Sequence, residues 1–177
     1  MNAKLAYALG AVAFAGACGQ QVASNQANAV TTSAETRNAA AAAPLSHDKA
    51  LAVMKQRHDA MESLGDATKA VHNALQAAKP DLGAIRAAGA KVDALAPKLL
   101  SLFPAGTGPD VGKTRAKPEI WQKPEDFANK AHDFGVAANQ FDVAAKSGDL
   151  AQINATFGAL GKACKACHDL YRAPEKH

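Results

Sequence analysis

The chain has 177 residues, of which 48% are hydrophobic, 20% charged and 5% aromatic, a composition that fits one globular domain and excludes a fibrous or wholly disordered protein. Alanine supplies much of the apolar fraction while Val, Ile, Tyr, Phe and Trp are scarce, so an all-α fold is favoured over a large β-sheet. The net charge of +4 arises from 20 basic and 16 acidic residues that are well interspersed, which argues against a nucleic-acid surface.

Residues 1–17 carry Lys4 and then an apolar run from Leu5 that ends in Ala15-Gly16-Ala17, the charged, hydrophobic and small-residue regions of a secretory signal peptide. That run is too short for a spanning helix of about 20 residues, so the mature chain is expected to carry no transmembrane segment. A bacterial lipoprotein signal also ends in small residues before a cysteine, and Cys18 stands in that place, although the usual leucine three positions earlier is Ala15. Two outcomes stay open: a lipid on Cys18 as the sole membrane attachment, or ordinary cleavage leaving a free thiol. Residues 18–44 are rich in Gln, Asn, Ser, Thr and Ala and cannot offset the entropy of folding, so they read as a flexible linker. A longer propeptide cut near Ala29 is the alternative.

Beyond Pro44, residues 45–177 form the folded domain, which proline and glycine divide into four helical segments. The first runs from a Ser46 N-cap to Lys79, stopped by Pro80, with Leu51, Met54, Met61, Leu64, Val71 and Leu75 on one stripe. The second opens at Asp81 and spaces Leu82, Ile85, Gly89, Val92, Ala96, Leu99 and Phe103 by threes and fours, with Pro97 expected to kink or fray its end. Residues 104–123 lose the period and form a loop long enough to cross a bundle end or cover a ligand, with the single tryptophan, Trp121, near its close. Pro124 starts a third helix that carries Phe127, Ala131, Phe134, Ala138, Phe141 and Ala145 inward and breaks at Ser147-Gly148. Asp149 caps a fourth, with Leu150, Ile153, Phe157, Leu160, Cys164, Cys167 and Tyr171 on one face. The expected fold is an antiparallel four-helix bundle.

The chemistry concentrates in Cys164-Lys165-Ala166-Cys167-His168. Two thiols three residues apart can each bond one haem vinyl group while the next residue ligates the iron, and this spacing reads as a c-type haem attachment site. A thioredoxin-like dithiol would need a strand before the motif, structural zinc would need further ligands when the only other cysteine is remote Cys18, and a disulfide over so short a helical span would distort the backbone.

The chain at this point resembles the class II c-type cytochromes, the group of cytochrome c-prime and the low-spin cytochrome c556 type. The resemblance spans about Leu45 to Arg172 and rests on three features. These are the C-terminal run from Cys164 to Arg172, the loop from Lys113 to Trp121, and Arg57 followed by Met61 in the first helix. It implies a periplasmic four-helix bundle, often a homodimer, with one covalently attached haem c and His168 as axial ligand. Met61 matches the position that ligates iron in the c556 type but only crowds the distal face in cytochrome c-prime. As a plain core residue, Met61 would fit the same stripe. Arg57, one turn before Met61, could pair with a haem propionate or lie at the surface. By resemblance Arg172 borders the proximal face, and otherwise it is a favourable cation in a last helical turn. Trp121 either covers the haem edge or anchors the core. The remaining histidines show no ligand pattern, with a reservation for His58, which could offer an imidazole beside Met61.

Two functions follow. The leading expectation is a non-enzymatic electron carrier that exchanges electrons with periplasmic redox partner proteins through a His-ligated haem. The other is a five-coordinate haem protein that binds nitric oxide or carbon monoxide.

Overall fold

The computed structural model describes residues 45–175; the leader, Cys18 and the linker fall outside the described residues, as does His177. Five helices follow in order: α1 (His47–Gln76), α2 (Leu82–Leu95), α3 (Glu119–Gln122), α4 (Pro124–Ser147) and α5 (Leu150–Tyr171). The four long ones are the expected bundle, and α3 is a single turn within the long loop.

Local chemistry explains the ends. Ser46 precedes α1 in an extended conformation, without a side-chain cap bond, and accepts the Ala50 N–H on its carbonyl at 2.9 Å. The helix stops at Gln76 rather than Lys79, because Pro80 forces its predecessor out of the helical region and the chain is already extended at Ala77, with ψ 146°. Asp81 caps α2 by accepting the N–H groups of Gly83 and Ala84 at 2.9 and 3.0 Å. The expected continuation to Phe103 does not form as α-helix. Pro97 lacks an N–H and crowds the preceding turn, so the segment closes in two 3-10 turns, Ala96–Lys98 and Leu100–Leu102. Pro124 opens α4, and Gly148, at φ 77°, turns left-handed to end it. Asp149 then caps α5 through the N–H groups of Ala151 and Gln152 at 2.8 and 3.2 Å.

Packing runs from α1 to α2, from α2 to α4 and from α4 to α5. Val71, Ile85, Val92, Ala138, Phe141, Ala145, Ile153 and Leu160 are all at most 1% exposed and form the centre of the core. Small residues let α2 and α4 approach closely. A Cβ placed on Gly89 would stand 3.2 Å from the Ala145 Cβ and 3.4 Å from the Asp142 Cα. Every α4 position expected to face inward does so, whereas Leu51 and Leu150 are each 40% exposed. Both sit near the first turn of their helices, at the edge of the reach of the neighbouring ones.

One seam is missing. The first and last helices share no packed face comparable with the other three, and the long loop bridges them at one end. A Cβ on Gly112 would stand 2.9 Å from Leu51 and 3.3 Å from Met54 near the start of α1, while the Lys117 N–H donates to the Tyr171 carbonyl at the end of α5. The start of α1 therefore lies beside the end of α5, as antiparallel helices require.

Replacing Phe141 with alanine would leave a cavity among α2, α4 and Phe157 and should cost about 3–5 kcal/mol, read as a lowered denaturant midpoint with an unchanged slope.

Candidate functional site

Cys164, Cys167 and His168 occupy the closing turns of α5. Three residues apart, the two cysteines share one half-buried flank of the helix. Cys164 packs against the main core, and Cys167 against a second apolar cluster built from Ile120, Phe127 and Tyr171 with Phe103, Ala116 and Trp121. Their thiols are not bonded to each other. Burial pushes both thiols up, and for Cys167 the neighbouring Cys164 adds to the effect, so both are S–H at neutral pH.

His168 is more open to water. Partial burial of its ring lowers its pKa first, and the positive charges of Arg172 and Arg115 lower it further. The imidazole is consequently neutral near pH 7, with a lone pair free for a metal.

On α1, Met54 is buried beside the loop at Gly112, and Met61 and Leu64 are half-buried against the core. From α5, Phe157, Ala163 and Cys164 are also half-buried against it. Apolar flanks on two helices that do not pack on each other, with two thiols on one of them and a neutral imidazole beside the thiols, are a donor set that fits a covalently held haem. Among the described residues, no group of three or more His, Cys, Asp and Glu side chains could hold a bare metal ion.

The other expected site residues are placed less simply. Arg57 is 4% exposed, and its guanidinium donates to the Leu102 carbonyl, both oxygens of Thr107 and the Thr114 hydroxyl, so it is not the surface arginine that periodicity allowed. Trp121 lies half-buried in α3, its indole N–H shared between the Phe103 and Pro104 carbonyls at 3.0 Å each. Arg172 is exposed, and its backbone N–H donates to the His168 carbonyl at 3.0 Å, closing α5. His58 is solvated and stands 3.2 Å from Glu62, while His47, His72 and His132 are exposed.

The sequence profile described as Cytochrome C' matches residues 52–172, which takes in both flanks. The chain belongs to the cytochrome c' family. Cytochrome c' of Pararhodospirillum photometricum is 34% identical over 122 residues, covering 68% of this chain and 96% of that protein. Among solved structures, a cytochrome c' with ligand-controlled dimer dissociation superposes with a TM-score of 0.66 at 30% identity, covering 75% of this chain and 100% of that one. A ferrous variant of cytochrome c prime from Alcaligenes xylosoxidans with bound NO gives 0.64 at 28% identity, covering 71% of this chain and 97% of that one. As in the rest of the cytochrome c' family, the cofactor is one covalently bound c-type haem per chain.

Sequence reasoning missed Thr107, Thr114 and Asp126. Thr107 is wholly buried between Gly106 and Gly108, in a stretch with no period to mark it. Asp126 accepts the hydroxyl of buried Tyr171, four residues beyond Cys167. Loss of solvation first, and the Asp126 carboxylate second, push the Tyr171 phenol up to about 12. An unfolded tyrosine titrates near 10, so the folded state resists ionisation and stability should fall as pH rises from about 10 to about 12. In the Tyr171→Phe variant that part of the alkaline loss should vanish, as read by denaturant unfolding at a series of pH values.

Proposed function

We propose that this cytochrome c' family member is an exported, non-enzymatic haem protein that binds nitric oxide or carbon monoxide at an apolar distal face. In this reading Cys164 and Cys167 hold the haem through thioether bonds, His168 ligates the iron, and Met61 lines the opposite side. The carrying observation is the chemistry of α1: Met61 and Leu64 are half-buried and apolar, the guanidinium of Arg57 is occupied by the loop, and His58 pairs with Glu62 in solvent. When bound, the haem supplies an iron that takes a diatomic ligand or exchanges one electron. A wall without a hydrogen-bond donor gives no help to acid–base chemistry or to a polar oxygen ligand, but it leaves room for a small apolar one. The NO-bound neighbour supports this reading.

Met61 also carries a second reading. Direct ligation of the iron by its thioether would saturate the metal, raise its potential and make the protein an electron carrier for periplasmic redox partners. Absorption spectra of the reduced protein separate the two. The gas-binding reading expects a high-spin spectrum that shifts with carbon monoxide, and in Met61→Ala the spectrum stays high-spin while the gas binds faster. A sharp low-spin spectrum indifferent to the gas, turning high-spin in Met61→Ala, would reverse the order of the readings.

No helix among the described residues is long and apolar enough to cross a membrane. The proposal places the protein in the periplasm, tethered by a lipid on Cys18 and joined as a homodimer, the last supported by the neighbour with ligand-controlled dimer dissociation. Cys18→Ser should move the protein from the membrane fraction to the soluble one, and the intact protein should lose the mass of the lipid.

A further inference from the structure

Residues 102–117 form a strap over the end of the gap between α1 and α5. On the α5 side it is stitched by backbone and side chain alike. Lys117 N–H donates to the Tyr171 carbonyl at 2.9 Å, Ala173 N–H to the Arg115 carbonyl at 2.8 Å, Arg115 Nε to the Ala173 carbonyl at 2.9 Å and Lys117 Nζ to the Leu170 carbonyl at 2.7 Å. On the α1 side the polar attachment is Arg57. Its terminal nitrogens donate to the Leu102 carbonyl at 3.3 Å, the Thr107 hydroxyl at 3.0 Å, the Thr107 carbonyl at 2.9 Å and the Thr114 hydroxyl at 3.2 Å, all within the strap. Phe103 and Trp121 flank the cation at 4.9 and 5.8 Å.

No carboxylate among the described residues pairs with this buried guanidinium. A buried charge is costly unless its donors are satisfied, and here the strap satisfies them. Arg57 and the strap thus hold or leave their places together. Thr107 reinforces the link, because it accepts from Arg57 and donates its own hydroxyl hydrogen to the Pro104 carbonyl at 2.8 Å.

We infer that Arg57 is a positioning residue that latches the strap across the haem edge and so sets how far water and small solutes reach the cofactor. The inference rests on the placement of the haem between α1 and α5. A lysine at this position keeps the charge but replaces a planar fork with a point donor, which cannot span acceptors on Leu102, Thr107 and Thr114 at once. Thr114→Val keeps the charge and the fork and removes one acceptor.

The test uses the haem-loaded full-length protein, with wild type, Arg57→Lys and Thr114→Val compared. Amide hydrogen exchange across residues 105–112 should quicken in Arg57→Lys by about tenfold or more, the factor expected for at least one lost hydrogen bond. Oxidation of the ferrous haem by ferricyanide, which takes one electron from the iron, should accelerate several-fold, with an unchanged absorption spectrum. Thr114→Val should move both rates in the same direction by less. If Arg57→Lys gives no folded holoprotein, the Thr114→Val arm decides alone. A loosened strap with unchanged oxidation rates would overturn the latch, as would an altered haem spectrum with strap exchange unchanged, which would assign Arg57 to the haem itself. Trp121 provides the separate control. Its emission should be strongly quenched by the haem in the wild type, and unquenched emission would refute the placement of the haem, whatever the exchange data show.

Discussion

The bundle is held by three helix–helix seams where a closed ring of four would have four. α1 and α5 each pack on a single long helix, and the flanks they turn toward each other carry half-buried apolar groups, Met61 and Leu64 on one and Phe157, Ala163 and Cys164 on the other. Water against such surface is unfavourable by about 25 cal/mol for each Å², so an apolar cofactor covering these flanks stabilises the fold. The site follows from that constraint. Both thiols lie on the half-buried flank of α5, the imidazole stands next to the second of them, and the polar groups of α1 are kept off the facing wall.

The opposite side of the molecule supplies rigidity. α2 and α4 approach until Gly89 and Ala145 touch, and Ala138, Phe141 and Ala145 are fully buried between them. Alanine-rich interfaces of this kind offer few alternative rotamers, so the back wall fixes α4, and α4 in turn fixes α5 and its cysteines. Tyr171, Phe127 and Phe103 continue the support toward the loop in edge-to-face contacts at 5.2 and 4.9 Å. The aromatic residues are few, and this chain of rings gathers several of them at the end of the bundle beside Cys167.

The loop between α2 and α4 is therefore part of the site. It bridges α1 and α5, which do not pack on each other, with hydrogen bonds at one edge and a buried cation at the other. The same guanidinium links the strap to the helix that carries Met61 one turn later.

Much of this was legible in the sequence. The spacing of threes and fours gave the four long helices, because burial on one side of a helix repeats with its turn, and Asp81, Pro124, Gly148 and Asp149 marked ends through chemistry confined to a few neighbouring residues. The covalent c-type haem was legible for the same reason, since Cys164, Cys167 and His168 lie close together on one stretch of chain and need no distant partner to be noticed. Pro97 announced a weakened end, and the segment beyond α2 closes in two 3-10 turns. Only the tertiary structure decided the rest. Nothing local tells whether Arg57 faces water, a propionate or a loop carbonyl about 50 residues away, or that Thr107 is buried and His58 is not. Those outcomes depend on which surfaces the packed helices leave open, and that is a property of the assembled bundle.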